Sequence, residues 1–201
     1  MEKKILSLFL FNKELKFSEI EKQLSIRSNK LAYHLHNLIK KEILIKTGEA
    51  YKLSDASENI IPYLSENQSP LPVLLIHLGN KNKAFLYKRE KRPYKDYLSL
   101  PGGRLLNGES IIEAAKRIML KKFNIRILSP KIKLVSLEHV KTRGRTVYSF
   151  LLILIKAETK EKISFFNIDK NKKKIIQSDY FLIKSQGQNN LNVKVLVSRN
   201  Y

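Results

Sequence analysis

The 201-residue chain contains no cysteine, which excludes disulfides, thiolate metal sites and cysteine nucleophiles together. It also lacks any apolar run near the ~20 residues that span a bilayer as a helix. The longest run, YSFLLILI at 148–155, has the length of a buried strand. The N-terminal stretch MEKKILSLFLF is followed by no small-residue cleavage site and is interrupted by Lys13 and Glu14, which argues against a secretory signal. A cytoplasmic protein that does not engage a membrane is the expectation. Acidic residues are scarce: 18 Asp+Glu stand against 39 Lys+Arg, a net charge of +21. The scarcity is local. Residues 1–68 hold 11 Lys+Arg against 9 Asp+Glu, a net of +2, and residues 69–201 hold 28 against 9, a net of +19. A half so basic favours polyanions: nucleic acid, anionic membrane or phosphorylated small molecules. An AT-rich genome, which inflates Lys, Ile and Asn, would give the same surplus with no partner.

What is present has room for two small domains, each with its own core. The segment SENQSPLP at 65–72 is polar and proline-punctuated, without apolar periodicity, and marks a boundary between domains at 1–66 and 67–201. Before it, residues 3–11 read as an apolar helix. Ser18 and Glu21 fit a capping box for a short helix ending near Leu24. Ser28 or Asn29 can cap a longer helix to about Lys41, with Leu31, Leu35, Leu38 and Ile39 on one buried face. Short strands at 44–46 and 51–53 flank a turn containing Gly48. Ser54 or Asp55 then caps a last helix to about Leu64. This order is that of a winged helix-turn-helix, and SNKLAYHLHNLIKKEILIKTGEAYKLS resembles the recognition helix and wing of ArsR-like regulators over roughly residues 3–64.

With those leucines inward, Asn29, Lys30, Tyr33, His34 and Asn37 fall on the outer face. Asn can pair with adenine edges, Lys with phosphate or guanine, and Tyr with phosphate or a thymine methyl. Lys46, near the hairpin tip, and Lys52 would meet the flanking backbone of double-stranded DNA. A protein-docking or dimerisation module is the alternative, and the near-neutral charge of this half fits it.

After the boundary, β-branched and aromatic runs surround one clear helix. The segment LPGGRLLNGESIIEAAKRIMLKKFNI at 100–125 resembles the Nudix box, with Gly103, Glu109 and Arg117 at its first fixed positions and Met119 and Ile125 at its apolar ones. Opening strands at 73–76 and 84–89 and later strands at 147–155 and 179–183 extend the resemblance over about residues 72–184. The expected fold is therefore α+β: a winged helix-turn-helix followed by a Nudix α/β/α sandwich on a mixed sheet, with the box at 103–125.

In that family, the glutamates after the arginine hold Mg²⁺ or Mn²⁺. Here their positions carry Ile118, Lys121 and Lys122, and Asn124 replaces the late glycine. Hard dications need oxygen ligands, and at an effective dielectric of ~20 one like-charge pair at 4 Å costs ~4 kcal/mol. The expectation is a catalytically silent domain with no metal and no cofactor, in which Glu109 and Arg117 brace the scaffold. Glu113 is read as a surface partner of Arg117, although with Glu109 at i, i+4 and Glu138 as a base it could make a relocated site. Gly102, Gly103 and Arg104, placed before a helix N-terminus, would meet an anion through backbone amides. Lys121 and Lys122 would replace the metal as phosphate partners, with Arg89, Arg143 and Arg145, and Lys88 beside them, as further cations.

Nudix-like domains joined to winged helices occur in transcriptional regulators that sense ADP-ribose or sugar metabolites, there with the Nudix part first and here with the order reversed. The resemblance implies a homodimeric DNA-binding regulator whose effector is a phosphorylated small molecule similar to ADP-ribose. Two alternatives stay open: a divergent hydrolase of nucleoside diphosphate compounds with relocated carboxylates, and a basic nucleic-acid-binding module. The tail at 191–197 alternates apolar and polar residues like a strand.

Overall fold

The computed structural model describes residues 1–63 and 69–185, and the tail at 191–197 lies outside them. The chain divides into two compact units, Met1–Ser69 and Pro70–Tyr201.

The first unit runs α1 (Glu2–Leu8), β1 (Glu14–Lys16), α2 (Phe17–Leu24), α3 (Ser28–Lys40), β2 (Leu44–Thr47) and β3 (Ala50–Leu53). Its sheet has the order β1-β3-β2, all antiparallel. Leu31, Leu35 and Leu38 of α3 are buried and share one core with Ile5, Ile20, Leu44 and Leu53. The pairing of β1 with β3 was not evident from the sequence, and it moves the start of α2. Lys16, opposite Ala50, is held extended, so the helix begins at Phe17. The cap is therefore Lys16 rather than Ser18: its N–H donates to the Glu19 carboxylate at 2.7 Å. Residues Asp55–Tyr63 form a 3-10 helix, not the expected α-helix.

The second unit contains β4 (Leu71–Leu78), β5 (Lys83–Ala84), β6 (Tyr87–Lys88), β7 (Leu98–Ser99), β8 (Gly102–Arg104), α4 (Ile111–Phe123), β9 (Leu128–Thr142), β10 (Arg145–Glu158), β11 (Phe166–Asn167) and α5 (Gln177–Lys184). The main sheet has the order β8-β4-β10-β9, with β4 parallel to β10 and the other pairs antiparallel, so it is mixed. Alternation along the strands separates two cores. Leu74, Ile76, Ile153 and Ile155 face Ala114, Ala115, Ile118 and Met119 of α4. Leu75, Leu152 and Leu154 face Leu182 and Ile183 of α5 on the other side.

Residues 179–183, expected as a strand, are helical. The buried positions Asp179, Leu182 and Ile183 are spaced i, i+3, i+4, which is a helix face. The expected strand at 84–89 is split into β5 and β6. Asn124 caps α4 in the left-handed region at φ 54°, with its N–H donating to the Leu120 carbonyl at 3.0 Å. Asparagine tolerates that conformation, so the glycine is dispensable there.

Candidate functional site

In the first unit, α3 presents Asn29, Tyr33, His36 and Lys40 outward at i, i+4, i+7, i+11, one continuous stripe opposite the leucines. Lys30 is also exposed, and Asn37 is half-buried beside the stripe. His34 sits on the flank: its Nδ1 is enclosed and its ring meets Tyr33 edge-on at 5.3 Å. His36 and Lys40 share this exposed face, and extending the helical period from Asn29 reaches both. Lys46 lies over the Tyr51 ring at 5.7 Å, and Glu49 at the hairpin tip pairs with Lys16 at 3.1 Å. Lys52 stands opposite Glu14 on the neighbouring strand.

The box segment of the second unit is held together by Arg117. Its Nη2 donates to Glu109 at 2.7 Å and to the Arg104 carbonyl at 3.0 Å, and its Nε donates to the other Glu109 oxygen. Leu106 N–H closes the loop onto Glu109 at 3.2 Å. The Arg117 hydrogen bonds hold the Glu109 carboxyl below its ordinary range. Glu113, expected beside Arg117, instead accepts from Ser110 N–H at 2.8 Å and caps α4. Gly102, Gly103 and Arg104 are not at a helix N-terminus: they form β8 and pair with β4, and α4 starts only at Ile111. Their glycines serve packing. A Cβ on Gly102 would lie 2.7 Å from the Leu74 carbonyl oxygen, and one on Gly103 would lie 3.0 Å from Ile118.

The residues present do not fit the dication that the box resemblance implies. Ile118 is 1% exposed and closes against Gly103. The Glu109 carboxylate is engaged by Arg117. Among the described residues no three His, Asp or Glu side chains converge to hold a metal.

A cavity of about 720 Å³ opens beside β8 instead. Lys88, Arg89, Lys91, Arg92, Arg104 and Lys122 line it against one carboxylate, Glu90. Tyr87, Phe123, Tyr148 and Phe150 supply aromatic surface. Lys122 donates to the Gly102 carbonyl at 2.6 Å. Partial burial, then Arg89, Lys91 and Arg117, push its ammonium below the ordinary lysine range. Of the expected ligand residues, Arg89, Gly102, Gly103, Arg104 and Lys122 come together here. Lys121 is exposed and lies outside the lining, because the helix turns it about 100° from Lys122. Arg143 and Arg145 belong to the turn and start of the β9–β10 hairpin and are also outside it.

The cavity shares Val73, Leu75, Arg89, Pro93 and Phe150 with a smaller crevice of about 60 Å³. There Tyr94 donates to Glu138 at 3.0 Å, while Asp179 accepts from Ser99 Oγ at 2.9 Å and Leu100 N–H at 2.7 Å. Burial pushes the Asp179 carboxyl up to about 7; the two donors oppose the shift and Glu138 adds to it. Burial first, and then the Glu138 carboxylate, raise the Tyr94 hydroxyl. Tyr94 and Asp179 carried no signal in the sequence: Asp179 meets Ser99 across 80 positions.

No family model matches the chain, and no curated protein does. Among solved structures it is similar to a MutT NUDIX hydrolase from Burkholderia pseudomallei, at 15% identity over 58% of this chain and 98% of that one, with a TM-score of 0.49. It is similar to the NUDIX domain of NrtR from Shewanella oneidensis, complexed with ADP ribose, at 12% identity over 66% and 96% of the chains and a TM-score of 0.49. A MutT protein from Bacillus halodurans is 20% identical over 57% and 80%, with a TM-score of 0.45.

Proposed function

We propose that the chain is a DNA-binding transcriptional regulator in which a Nudix-like unit senses a nucleotide-like phosphorylated ligand without a metal. One ammonium carries the sensor half. Lys122, in the box where a metal-holding glutamate is expected, lines a cavity with five other cations and one acid, and burial and neighbouring cations hold its ammonium below the ordinary lysine range. A phosphate entering there gains charge-assisted hydrogen bonds and relieves repulsion among the cations. Aromatic surface beside those cations suits a base or sugar face.

Support for the DNA half is the order helix, strand, two helices and hairpin, which is that of a winged helix. The polar stripe Asn29, Tyr33, His36 and Lys40 is dimensioned for a major groove. Two copies in a homodimer would read two half-sites, and ligand binding would change their affinity for double-stranded DNA.

Purified protein is expected to retard duplex DNA from upstream of its own gene at low salt, with ADP-ribose in EDTA changing the affinity about fivefold or more. Absence of retardation overturns the DNA half. Mg²⁺-dependent cleavage of ADP-ribose, NADH or a nucleoside diphosphate sugar overturns the metal-free half.

A further inference from the structure

The basic cavity has a neighbour. A second cavity of about 540 Å³ also has Lys88 in its lining, together with Tyr97, Leu98, Phe166, Asn171, Lys173, Lys174 and Asp96. Lys88 lines both cavities and pairs with Asp96 at 3.1 Å. Together the two hold eight cations against Glu90 and Asp96, a surplus of six. Two phosphates of one small ligand offset only about a third of that surplus. A strand with one charge per nucleotide can offset it along its length.

Both cavities also offer aromatic surface: Tyr87, Phe123 and Tyr148 in the first, and Tyr97 and Phe166 in the second. Tyr97 is 46% exposed, and Phe165, next to Phe166, is 45% exposed, so flat apolar surface reaches solvent at this end. Bases in a duplex are stacked on each other and cannot use such surface. Unpaired bases can, because each has a free face to lay on an aromatic ring while cations track the backbone.

We infer that the two cavities joined at Lys88 form one binding track for single-stranded nucleic acid. This rests on reading the first cavity as a metal-free phosphate site, and it names the ligand class. An acidic peptide shares the charge but has no regular series of faces for Tyr97 and Phe166. Lys173 and Lys174, on the 3-10 turn Lys172–Lys174, line the second cavity and not the first, so a mononucleotide in the first cavity has no phosphate for them.

The test uses the full chain and a dye-labelled single-stranded RNA of about twelve nucleotides, titrated by fluorescence anisotropy over a range of NaCl. For single strands, log K falls with log salt by about 0.7 per phosphate contact, so four to six contacts give a slope of about −3 to −4. Lys173→Glu with Lys174→Glu is expected to weaken RNA binding at least tenfold and leave ADP-ribose binding unchanged. Tyr97→Ala is expected to weaken the base-containing strand more than an abasic strand of the same length. A slope near −1, equal binding of the abasic strand, or equal competition by poly-glutamate overturns the track. ADP-ribose binding with no tighter RNA binding overturns the track and leaves the sensor standing. Binding of neither overturns both.

Discussion

Lys122 and Lys121 are adjacent in the chain, share a charge, and have different surroundings. Lys122 meets the Gly102 carbonyl and lines the basic cavity, while Lys121 lies outside that lining. A charge-assisted hydrogen bond contributes about 1.5–3 kcal/mol, so Lys122→Ala is expected to weaken ADP-ribose binding by tenfold or more. Lys121→Ala should change it less than twofold; calorimetric titration of both variants checks the contrast, and equal effects would assign the binding to general charge. Asp179 supplies a second residue-scale test. Its folded carboxyl titrates near 7, raised from 3.8 chiefly by burial. The folded chain therefore keeps a proton that the unfolded chain has released, and this contribution to stability is complete below about 4 and is lost as pH rises toward 7. Asp179→Asn removes the titration while its amide oxygen can still accept from Ser99 and Leu100. The melting temperature of the variant, relative to the parent, should rise between pH 4.5 and 7 and level off above it. A difference independent of pH would contradict this.

At the scale of elements, β8 closes on β4 at Gly102 and on α4 at Gly103, in each case where a Cβ is absent. A methyl on Gly102 meets backbone, the Leu74 carbonyl oxygen at 2.7 Å, which cannot move without breaking the β4–β8 pair. A methyl on Gly103 meets the side-chain end of Ile118 at 3.0 Å, which can shift by tenths of an ångström. Gly102→Ala should therefore cost about 1–3 kcal/mol, more than Gly103→Ala, in urea unfolding; the reverse order would contradict the assignment. The same contrast between local and distant determinants decides what could be read from the chain. The α3 helix and the β2–β3 hairpin were legible, because leucine spacing and a turn glycine are local signals. Glu109 and Arg117 were legible as a pair from the box pattern. The start of α2 was not, since β1 fixes it through Ala50, 34 positions beyond its partner Lys16. Nor was Asp179, whose burial depends on Ser99 and Leu100, or the assignment of Gly102 and Gly103 to a strand. Runs of like charge likewise show that Lys121 and Lys122 are basic, and only the helix phase separates the one that lines the cavity.

For the whole molecule, the charge is divided between the units, about neutral in residues 1–68 and +19 in residues 69–201. If α3 reads a groove as proposed, its unit's small surplus charge makes the helix rely on its polar stripe, so Tyr33→Ala with Asn29→Ala should weaken specific duplex binding by about 1–3 kcal/mol per lost base contact. Such variants should leave ADP-ribose binding intact. Loss of ligand binding in them would contradict the division of labour between the units. The proposed sensor takes a phosphate through lysine where the resemblance to the Nudix box implies a metal. Its most direct test is calorimetric titration of the full chain with ADP-ribose in EDTA and in excess Mg²⁺, followed by recovery of the ligand. A lysine-built site gives the same dissociation constant in both buffers and returns ADP-ribose intact; binding that appears only with Mg²⁺, or recovery of AMP, would contradict it.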